Sequence, residues 1–259
     1  MIDYRGLAEY LIKAEKQKQA VSCITDQHSN FNPSMGYKVQ QELVNLKIES
    51  GQKVTAYKMG LTSQAKMKQM NVSTPIYGYI FDYMNVPDKG KIEMEDFIHP
   101  KVEAEIAFIL GEDIHGPDIT SEQVLEKTQW VVPALEIIDS RYKDFRFQLS
   151  DVIADNTSAS RVLLGSELFR PYDFKVDLLG VSIDINGEVR ARGESSAVLG
   201  NPANSVAMLA SMLYAEGRKK IKKGSVILTG GITEAVLFEK ENHVIAHYDH
   251  MGEVSFYVR

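Results

Sequence analysis

Glu103 and Glu105 stand two residues apart in the run "HPKVEAEIAFILG", which spans His99 to Gly111. In an extended chain residues i and i+2 share a face, so these carboxylates project together while Val102, Ala104 and Ile106 project the other way. Alternation alone also fits a half-exposed strand with its charges in water. Glu136 adds a constraint. It lies in "VVPALEIIDS", an apolar run of the kind carried by strands buried on both faces. An ionised carboxylate buried without a partner takes up a proton unless a cation compensates it. Three carboxylates converging on one divalent ion would reconcile both segments. An all-oxygen donor set favours a hard cation, Mg2+ or Mn2+, and three protein ligands leave about three octahedral positions for water or substrate.

Lys58 lies in "VTAYKMGLTS", a strand-like segment before Gly60. Taken alone it would pack its stem and keep its ammonium in water. Beside an acidic metal site it becomes a candidate acid, base or substrate anchor. The segment "VIADNTSASR" supplies Asp155, Asn156, Ser158 and Ser160, a composition typical of turns and helix caps. "TGGIT", from Thr229 to Thr233, reads as a strand-end turn with exposed amides, a weak anion nest. His243, His247 and His250 fall in a strand-like run where the first two share a face and the third points away, which favours structural roles over zinc binding. Trp130 and the tyrosines read as core or interface residues.

The elements that must position these groups follow from periodicity. Leu7, Tyr10, Leu11 and Ala14 repeat at helical spacing, as do Val39, Leu43 and Leu46, so residues 1–53 are expected to form a helical cap of two amphipathic helices. Residues 54–259 read as a β-rich body. Two helices are expected within it, one opened by a capping box of Thr120 and Gln123, the other by Asn201 with Pro202 in its first turn, ending before Gly217. "GSVILTGG", "ENHVIAHYD" and "GEVSFYVR" are expected as closing strands.

Of the 259 residues, 25% are charged and 44% hydrophobic, a globular composition. A net charge of -6 argues against a nucleic-acid partner, and the basic run "RKKIKKG" (Arg218–Gly224) reads as a dipole-compensating helix end. The single Cys23 forms no internal disulfide. No apolar run approaches the ~18 residues of a membrane span, and the N-terminus lacks a basic segment followed by an apolar one. A cytoplasmic protein is expected. The G-x-G-x-x-G, Walker A, G-x-S-x-G and H-E-x-x-H patterns do not occur.

Six segments together carry a resemblance: "YKMGLTSQAKMKQMNVSTPIYGYIFDYM", "HPKVEAEIAF", "PALEIIDSRYKDF", "VIADNTSASR", "NPANSVAMLA" and "ILTGGITEAV". They resemble the 4-oxalocrotonate (2-oxohex-3-enedioate) decarboxylases, which group with the 2-hydroxypenta-2,4-dienoate hydratases in the fumarylacetoacetate-hydrolase-like superfamily. The resemblance implies an α+β fold, with a mixed β-roll core of the fumarylacetoacetate-hydrolase C-terminal-domain type under a helical N-terminal cap. It implies Mg2+-dependent decarboxylation of a dicarboxylic 2-oxo acid in aromatic meta-cleavage. The family's metal carboxylates fall on Glu103, Glu105 and Glu136, its active-site lysine on Lys58, and a position near substrate on Ser160. Leu61, Thr62, Val72, Ile76 and Asp155 are the further expected substrate neighbours, with Leu61, Val72 and Ile76 forming an apolar wall. Arg141 and Arg161 are additional candidate cations. In the hydratases the loop after the lysine strand reads like "QPDFG", with an aspartate; here "STPIYG" places Ile76 there, which cannot relay a proton and favours decarboxylation over hydration. The resemblance further implies a homo-oligomer and a complex with a 2-hydroxypentadienoate hydratase. A non-catalytic subunit that stabilises such a hydratase is the alternative of a different class.

Overall fold

Asp3 accepts a hydrogen bond from the Gly6 amide (2.9 Å) and so caps α1, Tyr4–Gln17. A one-turn helix, α2 (Ile24–Gln27), leads to α3 (Pro33–Glu49), where Asn32 accepts from the Met35 amide (3.1 Å) and Pro33 occupies the first turn. Four residues are too few to carry a periodic signal, so α2 is not foreseen by the pattern. Ala8, Leu11 and Ala14 of α1 and Val39, Leu43 and Val44 of α3 are buried. The structure, a computed structural model, describes residues 2–69, 72–217 and 220–259.

Past Gly51 the chain becomes β-rich: β1 (Val54–Gly60), β2 (Ile76–Phe81), β3 (Asn85–Pro87), β4 (Gly90–Ile92), β5 (Lys101–Leu110), β6 (Thr128–Ile138), β7 (Ala159–Leu164), β8 (Gly180–Ile185) and β9 (Glu188–Glu194), then β10 (Val226–Leu228), β11 (Val236–Leu237), β12 (His243–Tyr248) and β13 (Gly252–Val258). Among the described residues these form two mixed sheets. One runs β2-β1-β10-β5-β6-β7-β3, with β11 also pairing β5; the other runs β4-β13-β12-β8-β9. Apolar residues of both sheets and of the N-terminal helices join one continuous core. The α+β expectation, a mixed β core with helices at the N-terminus, holds.

Both helices expected in the body are present. α5 (Ser121–Lys127) opens with the Thr120–Gln123 capping box, and α7 (Pro202–Ala215) opens with Asn201 accepting from the Ala203 amide. Two more, α4 (Gln64–Gln69) and α6 (Leu149–Ala154), carry no periodic signal, since six residues span fewer than two turns. The basic run departs from its reading. α7 ends at Ala215, Arg218 and Lys219 lie outside the described residues, and beyond them Ile221 is buried in a β-bridge to Ile114 while Lys220 pairs with Asp113. An apolar residue amid the lysines anchors that stretch as a bridge. His243 stacks on Tyr257 (3.9 Å between ring centres), His247 faces Glu253 across the β12–β13 pair at 3.6 Å, and His250 occupies the turn between those strands. No helix among the described residues is long and apolar enough to cross a membrane.

Candidate metal centre

β5 and β6 are long, antiparallel and buried along most of their length, and their register sets Glu103 directly opposite Glu136. Directly opposed residues share a face, and like charges so placed repel. Glu105, two residues along β5, joins them on that face. One carboxylate oxygen from each of the three lies within 4.8 Å of the others. Glu105 and Glu136 are fully buried and Glu103 is 8% exposed, so the half-exposed strand is ruled out.

Lys58 is 3% exposed rather than reaching for water. β1 reaches β5 only across the three-residue β10, which ends at Leu228 opposite Lys58. Past that end the chain turns: the Thr229 amide donates to the Ile106 carbonyl, and the Gly230 amide donates to Glu105 Oε2 (2.8 Å). The Thr229, Gly230 and Ile232 amides are therefore engaged by the protein in a buried segment, not exposed as an anion nest. Gly230 must be glycine: its φ is +101°, and a Cβ would sit 2.0 Å from Thr62 Oγ1. Lys58 Nζ stands 3.0 Å from Glu136 Oε1, an ion pair rather than an aligned hydrogen bond, and donates to the Thr157 carbonyl at 3.0 Å.

Lys58 does not satisfy the buried Glu105 and Glu136 carboxylates by itself. Burial, then the proximity of Glu136, pushes the Glu105 carboxyl well above the usual carboxylate range against the pull of Lys58. Burial likewise raises Glu136, opposed first by Lys58. Glu105 Oε1 and Glu136 Oε2 are buried with no hydrogen-bond partner among the described residues. Orphaned acceptors facing one another mark a place for a cation. Glu103, Glu105 and Glu136 would hold such an ion, each offering one carboxylate oxygen. The donor set is all oxygen, as a hard cation requires.

The remaining expected residues divide. Leu61 packs with Ile76, together with Val152 and Ile153 of α6, so an apolar wall stands beside the end of β1. Val72 is partly buried but does not join that cluster. Thr62 is buried against Gly230, the residue whose amide holds Glu105. Ser160 is buried on β7, next to β6 in the sheet. Asp155 is engaged by the fold: its carboxylate accepts from Arg141 Nε, the Arg141 amide (3.2 Å) and Ser158 Oγ (3.4 Å). Arg141 is equally committed, donating to the carbonyls of Asp139, Ala159 and Asp155. Arg161 packs over the rings of Phe97 and Tyr83 and pairs with Asp96 at 3.6 Å. Neither arginine is free to neutralise a substrate.

A cavity of about 790 Å³ meets this face at Leu61 and Lys101, with Lys143, Arg146 and Phe147 among its other walls. Lys101 lies two residues from Glu103 on the same side of β5. The glutamates lie beyond the cavity walls. Sequence reasoning missed the Thr157 carbonyl, the Gly230 amide and Lys101. The first two are backbone groups that carry no side-chain signature; Lys101 could have been found from its i, i+2 relation to Glu103.

The fumarylacetoacetate (FAA) hydrolase C-terminal family model matches residues 50–259. A 4-oxalocrotonate decarboxylase of Pseudomonas sp. (strain CF600) is 44% identical over 250 residues, covering 96% of this chain and 94% of that protein. A 2-hydroxyhexa-2,4-dienoate hydratase of Comamonas testosteroni is 33% identical over 228 residues, 87% of this chain and 86% of that one. Among solved structures, 4-oxalocrotonate decarboxylase from Pseudomonas putida G7, complexed with magnesium and adipate, superposes with a TM-score of 0.96 at 39% identity over 99% of this chain and 97% of that chain. By sequence and by fold alike, the chain belongs to the fumarylacetoacetate hydrolase C-terminal family.

Proposed function

We propose that the protein is a Mg2+-dependent carboxy-lyase that converts 2-oxohex-3-enedioate to 2-hydroxypenta-2,4-dienoate and CO2, with Glu103, Glu105 and Glu136 holding the ion and Lys58 acting on the substrate. The observation that carries this reading is the buried convergence of three carboxylates, with Lys58 paired to Glu136 and orphaned oxygens on Glu105 and Glu136. The Pseudomonas putida G7 relative supports it, since that structure holds magnesium together with adipate. Adipate has the six-carbon dicarboxylate skeleton of the proposed substrate.

Bound at the three glutamates, Mg2+ supplies Lewis-acid polarisation of the 2-oxo acid end. When the C5–C6 bond breaks, its electron pair moves through the C3–C4 alkene to the C2 oxygen while C6 departs as CO2. Lys58 faces the charge that accumulates, and donation of one Nζ proton to the C2 oxygen completes the enol. Its positive charge also offsets the net charge of about -1 that three carboxylates and one divalent cation leave. Leu61 and Ile76 would form the wall at the departing carboxylate, where poor solvation favours release of neutral CO2. Manganese is the alternative ion for the same donors.

Incubating the Mg2+-loaded protein with 2-oxohex-3-enedioate and measuring dissolved CO2 tests the reading. A 4-hydroxy-2-oxo acid formed without CO2 would make the protein a hydratase instead. Binding of a hydratase with no turnover of its own would make it a stabilising subunit. The same reading places the protein in the cytoplasm, as a homo-oligomer able to associate with a 2-hydroxypentadienoate hydratase. Leu168, Tyr172 and Leu178, large apolar side chains exposed on one segment, support association. Light scattering with and without the hydratase measures it.

A further inference from the structure

Asn156, Thr157 and Ser158 adopt φ values of +49°, +54° and +58° in succession. Left-handed backbone is uncommon outside glycine, and a β-branched threonine pays more for it than asparagine does. Such strain persists only where the surroundings over-determine it, and it concentrates where it serves a purpose. We propose that this turn is the positioning element for Lys58, and that Thr157 is a positioning residue acting through its carbonyl. The proposal rests on the reading of Lys58 as the active-site lysine.

The turn is clamped from three sides. The Asn156 side chain accepts from the Tyr79 amide (2.9 Å) and donates to the Tyr79 carbonyl (2.8 Å), tying the turn to β2. Beneath it, Arg141 holds the Asp155 carboxylate and carbonyl on one side of the turn and the Ala159 carbonyl (3.0 Å) on the other. Above it stands Gly78, paired with Lys58 in the β1–β2 register. A Cβ on Gly78 would lie 2.5 Å from Thr157 Oγ1 and 2.9 Å from the Asn156 carbonyl, so the turn presses against bare backbone. Thr157 Oγ1 is itself buried without a hydrogen-bond partner, so its presence serves contact rather than bonding.

The product of these constraints is one carbonyl at a fixed place, accepting from Lys58 Nζ at 3.0 Å. A lysine side chain has four rotatable bonds, and the ion pair with Glu136 alone would leave Nζ free to pivot. A second anchor removes that pivot and aims the remaining N–H groups away from the turn, toward the glutamates' side. The Arg141–Asp155 pair is thereby connected to chemistry it does not touch.

Steady-state CO2 release, Mg2+ affinity and thermal midpoint of Thr157→Gly, Thr157→Ser, Gly78→Ala and Lys58→Ala test the proposal. In Thr157→Gly the left-handed conformation becomes unstrained while the carbonyl loses its fixed position. Its melting temperature should hold or rise, while kcat falls about tenfold to a hundredfold and KM and Mg2+ affinity stay within about twofold. Thr157→Ser, which retains the β-carbon and hydroxyl, should restore kcat to near wild type. Gly78→Ala, which pushes the turn directly, should lower kcat in the folded, Mg2+-binding protein. A Thr157→Gly or Gly78→Ala enzyme with unchanged kcat, beside an inactive Lys58→Ala, would reduce the turn to a structural role. Full turnover by Lys58→Ala would instead overturn the reading of Lys58 on which the proposal stands.

Discussion

Among the described residues, a buried lysine meets glutamate in two contrasting settings. At the seam between the N-terminal helices and the sheets, Lys47 Nζ donates to Glu15 Oε2 (2.7 Å) and to the Tyr83 hydroxyl (2.5 Å), and that hydroxyl donates to Glu15 Oε1 (2.5 Å). One carboxylate meets one ammonium, and both of its oxygens are occupied. Burial would push the Glu15 carboxyl up, yet Lys47, Arg141 and the Tyr83 hydroxyl together outweigh it and hold it at about 2. In the Glu103–Glu105–Glu136 cluster three carboxylates converge, oxygens of Glu105 and Glu136 are orphaned among the described residues, and the Glu105 carboxyl moves the opposite way. Burial is common to both. The difference lies in whether the buried carboxylate oxygens find donors: those of Glu15 do, and among the described residues Glu105 Oε1 and the oxygens of Glu136 do not.

The lysines separate the two regions most sharply. Lys58→Ala removes the group proposed to act on the substrate oxygen, and CO2 release should fall by about 10²–10⁴-fold in the folded, Mg2+-loaded protein. Lys47→Met should do the reverse, as below. Equal effects of the two substitutions on turnover would erase the distinction. Glu136→Gln comes next: it removes one of three anionic ligands, so the Mg2+ needed for half-maximal activity should rise by about tenfold or more, with turnover partly recovered at high Mg2+. Chelation with EDTA should abolish CO2 release while circular dichroism stays unchanged.

At the seam the expected effect is on stability. Lys47→Met strands the Glu15 carboxylate beside Tyr83 without its cation and should cost about 3–5 kcal/mol in urea unfolding, the usual penalty for breaking a buried pair from one side. Activity of the folded fraction at saturating Mg2+ should be unchanged. A drop in Mg2+ affinity would mean that the two clusters are coupled rather than alternative uses of the same chemistry.

How much of this contrast could be read from the chain depends on the range of each signal. The i, i+2 spacing of Glu103 and Glu105, the apolar flanks of Glu136 and the strand around Lys58 are local patterns, and the structure places all three segments as strands. The caps at Thr120 and Asn201 are equally local. Pairing is not. That Glu103 opposes Glu136 is a matter of register between strands some thirty residues apart in sequence, set by α5 and its connections, and no short-range pattern encodes it. "ADNTS" advertised a turn, but not that three residues are left-handed or that Asp155 answers Arg141 fourteen positions earlier. The seam cluster went unread because Glu15 and Lys47 each sit in a helix where a charged residue ordinarily faces water.

Glu15 gives that seam a signature in pH. Its folded value of about 2 lies below the ordinary carboxylate value of 4.5, so the folded state binds fewer protons than the unfolded chain between those two points. Stability therefore rises with pH through that interval: the contribution is fully present above about pH 4.5 and is lost as pH falls toward 2. The Glu15 side chain is 22% exposed, which keeps the contribution at the order of 2–3 kcal/mol. Glu15→Gln preserves the shape but not the charge, so its own stability should lack this component. Urea midpoints of wild type and Glu15→Gln should differ most at pH 6, and the gap should narrow steadily below pH 4.5 and close near pH 2. Mg2+ should leave that gap unaltered at every pH, because the seam already holds its counter-charge; a gap that widened or shrank with Mg2+ would show that an ion at the glutamates is felt at Lys47.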